Sequence, residues 1–333
     1  MISILHVVVK IQKISTAVAY PTIPIIFLGG INPDRTPLYD TMGLAVTNKD
    51  ETTRTETTIE STESKGISPI KFLLDKQKLT GLRGNQINES VKSLMEKNYI
   101  RAKISIESNN YGIFSGSSDS GLAALFTALN DVFDLKYTKD EILRYSMKGS
   151  ESAGRSLYGG LTLSLVHEKP LKVIQIASEE DLNRIKLFSI PFQYDSRISA
   201  DEIHAGIIKN PQFPDRVKRI PNWIDRIKKA LKNDELVELL KTAEENIQNA
   251  HELLEGINIR VRKPDMLRLC GQVTQMRKEK IEAYYLIGGG NLVTIATIDT
   301  FAKAVAKYLL KNQWKYYEFK VASAPKIIKS QTL

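Results

Sequence analysis

The sequence predicts an α+β protein, strands and helices in two layers, divided into two domains. Three observations carry that expectation. The first third is rich in β-branched residues in short runs, the second half in long amphipathic helical patterns, and between them a glycine- and serine-rich loop leads from a strand into a helix of small residues. At 333 residues the chain suits two domains sharing an interface, and we place the boundary near residue 182, giving segments 1–182 and 183–333.

Hydrophobic residues at 42% and charged residues at 26% exclude disordered, collagen-like and membrane classes. The net charge of +9 favours anionic partners, but the excess is spread out and forms no long basic run, so small anions suit it better than nucleic acid. Cys270 is the only cysteine, which rules out an intrachain disulfide and fits a reducing, cytoplasmic setting with Cys270 packed in the core. The opening "MISILHVVVKIQK" reads as a strand and not as a signal peptide, because no cation precedes the apolar run and His6, Lys10 and Lys13 interrupt it. Residues 14–33 lack formal charge, yet Pro21, Pro24, Gly29, Gly30 and Pro33 make them a buried strand and turn, not a membrane span.

Taken in order, 5–28 predicts strands, closed by the turn signals "GG" and "NPDRTP". The Thr- and charge-rich stretch 43–65 predicts a solvated hairpin near a sheet edge, with a disordered linker as the alternative. Residues 68–98 read as helix broken at Gly81 and Gly84, and "IRAKISIES" as strand. Helices follow at 122–133 and 139–149. Past the boundary, Trp223, Ile224, Ile227, Ala230 and Leu231 form one helical stripe and Leu236, Leu239, Leu240 and Ala243 another. "EAYYLIGGGNLVTIATI" predicts strand, glycine turn and strand, before a helix at 300–312 and a last strand, "YYEFKVA".

The chemistry concentrates in "GIFSGSSDSGLAALFT" at 112–127. Gly116 and Gly121 have the spacing of a P-loop, but Leu122 and Ala123 stand where its Lys and Ser/Thr belong. A helix N-terminus offers unpaired N–H groups and about half a positive charge, so it can hold phosphate without lysine. Ser hydroxyls add donors or reach a metal. The plainer reading is a Ser/Asp cap on a buried helix. In "GSESAGRS", Glu151 can accept a hydrogen bond from a substrate hydroxyl and Arg155 can fork onto a carboxylate or phosphate; the plainer reading is an (i, i+4) ion pair.

Two more segments, "AYPTIPIIFLGGINPDRTPLYDTMGLAV" at 19–46 and "GSESAGRSLYGGLTLSLV" at 149–166, join the Gly/Ser loop in an order and spacing that resembles the GHMP kinase superfamily. The closest resemblance is to the branch of diphosphomevalonate decarboxylases and archaeal mevalonate 3-kinases. It implies a GHMP kinase fold with ATP between two domains, Mg²⁺, a cytoplasmic homodimer, and neither membrane nor nucleic-acid partner. It further implies that Asn109, Asn110, Phe114, Ser115, Gly116, Ser117, Ser118, Asp119 and Gly121 meet the nucleotide, with Ser118 and Asp119 nearest the metal. Tyr20, Leu28, Gly29, Gly30, Glu151, Arg155 and Arg197 would surround mevalonate, and Glu151, Arg155 and Ser117 would serve the reaction.

Three departures select among the reactions. Decarboxylase relatives carry an aspartate where this chain has Ile287 and a lysine where it has Leu28, and they usually have glycine in place of Glu151. Loss of both charges leaves phosphorylation of the 3-hydroxyl intact, since that depends on positioning and donor electrostatics, and argues against decarboxylation. A carboxylate at 151 suits a free 5-hydroxyl and repels a 5-diphosphate. The expected activity is therefore ATP-dependent 3-phosphorylation of (R)-mevalonate, without a strong general base. The rivals are a decarboxylase or a mevalonate 3-phosphate 5-kinase of the same fold, and a non-catalytic nucleotide- or RNA-binding protein using the basic segment 216–232. His204 reads as structural, and His6, His167 and His251 lack paired-ligand spacing, so no zinc site is expected.

Overall fold

The computed structural model describes residues 12–64, 70–194 and 198–333. The N-terminal strand reading over residues 1–11 therefore lies outside the described residues. Fourteen strands and nine helices make up the described part, with the strands in two sheets.

The first sheet has six strands. β1 (Gln12–Ala19) lies between β14 (Lys326–Thr332) and β4 (Arg54–Glu63), and the order continues through β7 (Ala102–Tyr111), β5 (Lys71–Leu74) and β6 (Gln77–Lys78). α2 (Ser117–Val132) crosses β1 and β4 and also packs on α3 (Lys139–Ser146) and α4 (Ala153–Tyr158). Its small and apolar residues, Leu122 to Phe126 among them, are buried against Ala17, Ile59, Ile104 and Ile106. α1 (Gly81–Lys97) completes this core with Ile87, Val91, Leu94 and Met95.

The second sheet runs β11 (Tyr284–Ile287), β12 (Leu292–Ile298), β10 (Ile185–Pro191), β13 (Tyr317–Val321), β3 (Thr41–Asn48), β8 (Leu161–Leu165) and β9 (Lys172–Ala177), with β2 (Thr22–Ile26) also paired to β3. α6 (Phe213–Lys232) and α7 (Leu236–Glu255) pack on each other, and α7 packs on β2 and β11. The two predicted stripes are their buried faces: Trp223, Ile224 and Ile227 on one, Leu239, Leu240 and Ala243 on the other. Each such aliphatic side chain contributes roughly 1.5–3 kcal/mol by leaving water. α5 (Ala200–Ile207), α8 (Pro264–Lys278) and α9 (Asp299–Lys311) complete the helices.

Both sheets take strands from either side of residue 182, which lies between β9 and β10. β14 closes the first sheet although it follows everything else, and β3 joins the second sheet by pairing with β13.

Several expectations change. The 43–65 stretch is not a hairpin, because β3 and β4 belong to different sheets. β4 is also interior, flanked by β1 and β7 along its length. Its period-two pattern buries Thr55, Thr57, Ile59 and Ser61 while the charges face outward, and the inward hydroxyls find partners: Thr57 with Ser108 at 2.9 Å and Thr55 with Ser120 at 2.6 Å. Of the stretch 68–98, the described residues 70–98 are helical only from Gly81. Before it, Asp75 and Lys76, both left-handed with φ of 48° and 65°, turn β5 into β6 as a two-residue hairpin loop requires. The strand β14 was not foreseen.

Candidate active site

Gly116 starts the site. It caps α2 in the left-handed conformation, with φ of 77°, and no side chain caps the helix. A β-carbon here would fall 2.7 Å from both N and O of Thr22, so only glycine lets the loop lie against β2. The plainer reading, a side-chain N-cap, is not what forms. The first turn of α2, Ser117, Ser118 and Asp119, presents its amides without a side-chain acceptor, as anion binding at a helix start requires.

Asp119 is buried and is the hub of a hydroxyl network. Its Oδ1 accepts from Ser150 Oγ at 2.9 Å and Ser152 Oγ at 2.6 Å, and its Oδ2 accepts from the Thr22 hydroxyl. Thr22, Ser150 and Ser152 thus join three separated segments at one carboxylate. Their individual roles escaped the sequence reading, although all three lie within the two motifs.

The cavity beside this network is lined by Thr22, Leu28, Ser115, Gly116, Ser118 and Asp119 from one side and by Glu151, Ser152, Arg155, His204 and the Gly288–Gly290 turn from the other. Gly288 comes from the end of β11 and brings that turn to within van der Waals reach of Pro24, near Ser115. Leu28 and the glycine turn present no charge there, and Ile287 is fully buried behind.

Glu151 lies in the turn before α4. It pairs with Arg35, Nη2 to Oε2 at 2.5 Å, and accepts from His204 Nε2 at 3.2 Å on Oε1. Among the described residues it forms no ion pair with Arg155, so the (i, i+4) pair is not realised. Burial by itself would raise the Glu151 carboxyl; the His204 ring, its own backbone amide and the Arg35 guanidinium outweigh burial and hold it well below the usual carboxylate range.

Arg155 is buried with little to hold. Its Nη2 donates to the Ile26 carbonyl at 3.5 Å, and its Nε has no partner among the described residues. Burial pushes the guanidinium down from its ordinary value, and Asp119 and Glu151 act the other way. A buried cation with unused donors beside a cavity is suited to an anionic ligand.

The remaining predicted residues lie around this cavity without lining it. Ser117 is exposed at the start of α2 and Gly121 sits one turn in. Phe114 rests on Tyr317, ring centroids 5.2 Å apart. Asn110 bonds Asp75 through its backbone and side chain and accepts from Thr55, which in turn meets Ser120 of α2; Asn109 bonds Glu107. Tyr20 turns away, giving its hydroxyl to Glu51 at 2.8 Å. Gly29 and Gly30 back onto the end of α5 and the start of α6: a β-carbon would fall 2.9 Å from Ile207 at Gly29, and 2.8 Å from Ile208 and 3.3 Å from Phe213 at Gly30. These three therefore do not form the cavity wall that the sequence suggested. Arg197 lies outside the described residues.

His204 is part of the cavity wall, not a packing residue elsewhere. The basic segment 216–232 is largely occupied: Arg216 is buried on Asn246, Asn249 and the Phe27 carbonyl, and Arg219 and Arg226 pair with Glu245 and Glu238. Among the described residues no cluster of three His, Cys, Asp or Glu side chains could hold a metal, and no helix is long and apolar enough to cross a membrane.

A strand-to-helix Gly/Ser loop without lysine, beside a polar cavity, fits a small-molecule kinase of the GHMP class. The family description "Diphosphomevalonate decarboxylase-like N-terminal domain" matches residues 19–169, and "Mevalonate-3-kinase, C-terminal domain" matches residues 198–301. The mevalonate 3-kinase of Thermoplasma acidophilum is 31% identical over 285 residues, covering 82% of this chain and 85% of that protein. The mevalonate-3-kinase of Picrophilus torridus is 29% identical over 292 residues, 86% and 89% of the two chains. The crystal structure of the Thermoplasma enzyme with mevalonate 3-phosphate and ADP bound superposes with a TM-score of 0.84 at 25% identity, over 96% of this chain and all of that one. The chain belongs to the mevalonate 3-kinase family of the GHMP kinase superfamily.

Proposed function

We propose that the protein is an ATP-dependent mevalonate 3-kinase, which transfers the γ-phosphoryl group of ATP to the tertiary 3-hydroxyl of (R)-mevalonate and releases mevalonate 3-phosphate and ADP. The observation that carries this reading is the meeting of Glu151, Arg155 and the open N-terminus of α2 at one cavity. The 3-hydroxyl oxygen bonds to the γ-phosphorus, the bond from that phosphorus to the β–γ bridging oxygen breaks with its electron pair going to ADP, and the hydroxyl proton passes late to an oxygen of the transferred phosphoryl group, as a loose transition state allows.

Each residue then has a task. The amides of Ser117, Ser118 and Asp119 hold the polyphosphate, with Ser115 and Ser118 hydroxyls as further donors. Arg155 forks onto the mevalonate carboxylate, joined there by Arg197, and Glu151 accepts from the 5-hydroxyl. Leu28 supplies apolar wall. Asn109, Asn110, Phe114 and Gly121 support the nucleotide side of the loop.

Asp119 and Ser118 fit a bound Mg²⁺. A carboxylate offers about four lone-pair sites and three are occupied by hydroxyls, and Mg²⁺ usually takes one or two carboxylates with phosphate oxygens and water completing its shell. When bound it neutralises charge developing on the β- and γ-phosphates. A homodimer and two domains complete the proposal, with the chain crossing between the two sheets on both sides of the residue 182 boundary.

Decarboxylation would need charge at Leu28 or Ile287, and both are apolar and buried. The test is incubation with ATP and mevalonate, followed by NMR location of the new phosphate. Phosphate on the 3-oxygen supports the reading; phosphate on the 5-oxygen, or CO₂ release by the enzyme itself, overturns it.

A further inference from the structure

Arg35 comes from the turn "NPDRTP" between β2 and β3. Its backbone is left-handed, φ of 67°, a region sparsely populated by residues other than glycine. The turn is pinned locally: Asn32 N donates to Thr36 O at 2.8 Å, Arg35 N to Asn32 O at 2.9 Å, and Asp34 Oδ1 accepts from the Thr36 amide at 3.0 Å. So held, Arg35 sends its guanidinium inward. Its Nη2 is shared between Glu151 Oε2 at 2.5 Å and Asp201 Oδ1 at 3.1 Å, and its side chain is only 12% exposed.

The three partners come from three places in the fold: the turn after β2, the turn before α4, and the first helical turns of α5. Glu151 and His204 line the cavity, while Arg35 is not part of the lining. Among the described residues Arg35 donates to one carboxylate oxygen of Glu151 and His204 to the other, with the residue's own backbone amide as a third donor, so of about four lone-pair sites one is left for a ligand. Among the described residues, the charged and titratable groups facing Glu151 are Arg35 from the turn, His204 from α5 with Asp201 behind Arg35, and Arg155 from α4, which in turn feels Asp119 on α2.

We infer that Arg35 is a positioning residue which, with His204, fixes the Glu151 carboxylate in its charged form and aims its free lone pair into the cavity, so that the site takes a free 5-hydroxyl and rejects a phosphorylated 5-position. The inference rests on the reading of Glu151 as the acceptor for that hydroxyl. A buried carboxylate deprived of its cation takes up a proton. Protonated, Glu151 turns from acceptor to donor and ceases to repel phosphate.

The test compares the wild type, R35Q, R35K and E151Q by the pH dependence of kcat/KM for mevalonate and by inhibition with mevalonate 5-phosphate. For R35Q, KM for mevalonate is expected to rise about tenfold or more with KM for ATP unchanged, and the acid limb of the profile to move up by about 1–2 pH units. Mevalonate 5-phosphate should inhibit R35Q more tightly than the wild type. R35K restores the charge and should return the acid limb to within about half a unit of the wild type, which also covers the case in which R35Q fails to fold. A uniform loss for R35Q at every pH, with no rescue by lysine and no change in inhibition, overturns the inference. E151Q separates the two levels. If E151Q leaves KM for mevalonate at the wild-type value, the reading of Glu151 falls first; if E151Q raises it and R35Q does not, only the role of Arg35 falls.

Discussion

Arg155 lies flat across Gly43 of β3: a β-carbon on residue 43 would stand 2.2 Å from Arg155 Cδ and 2.6 Å from its Nε. The glycine is therefore a seat for the buried guanidinium. Gly43→Ala should displace Arg155, lowering kcat/KM for mevalonate by about 10²-fold or more and costing about 1–3 kcal/mol through overpacking. The check is a double-mutant cycle. With Arg155 already replaced by Ala, adding Gly43→Ala should cause little further loss of activity, because the residue it disturbs has gone.

Asp119 accepts three hydroxyl hydrogen bonds. Asp119→Asn turns one acceptor oxygen into an amide that must face a hydroxyl already oriented as donor, and it removes the negative charge beside Arg155. The expected result is a fall in kcat of about 10²-fold or more, larger than the change in KM for mevalonate. Steady-state kinetics at saturating Mg²⁺ and ATP measure it. An unchanged kcat would remove Asp119 from the phosphate side of the site.

Ile287→Asp alone should not create a decarboxylase. The side chain is fully buried at the end of β11, and Leu28 keeps its part of the wall apolar. The new carboxyl would lack a cation and would instead lower the melting temperature. Release of ¹⁴CO₂ from carboxyl-labelled mevalonate and a thermal melt together test this, and CO₂ production by the single variant would refute it.

His251 packs edge-on to Phe27 and donates from Nε2 to the Ile287 carbonyl at 3.3 Å. Burial first, then the nearby Arg262, pushes the ring down to about 3, so it stays neutral in the folded protein. The unfolded chain binds a proton here below about pH 6.5 and the folded one does not until about 3, so stability is complete above pH 6.5 and falls as pH drops through that window. His251→Gln keeps a donor without the titration. The slope of melting temperature between pH 6.5 and 4 should be shallower in the variant, and an unchanged slope would show that other groups govern acid sensitivity.

How far the sequence foretold this site depends on the range of the interactions. The α2 loop, Glu151 and Arg155 were legible because each sits in a short motif whose chemistry is local: a glycine cap, a helix start, a charged turn. The helical stripes of α6 and α7 were legible for the same reason, since a period of 3.6 is written in neighbouring residues. Arg35 and His204 were not, because nothing within a few residues of either says that both reach Glu151. β4 was misread because its outward Glu56 and Glu60 resemble an edge, while the burial of Thr55 and Thr57 depends on α2 and β7, which arrive much later in the chain. Tyr20 belongs to the same class, drawn to Glu51 by a cluster that also contains Lys320 and Lys326.

The pairing of β1 with β14 also constrains the order of assembly. Gln12 and Leu333 exchange backbone hydrogen bonds at 3.2 and 2.7 Å, so the ladder along the first described strand is completed by a segment made about 300 residues afterwards. At a translation rate of roughly 5–20 residues per second, β1 waits on the order of 15–60 s for its partner, with one side of its backbone unmet. Until β14 emerges and covers it, that open flank is an unpaired edge of the kind that invites premature association.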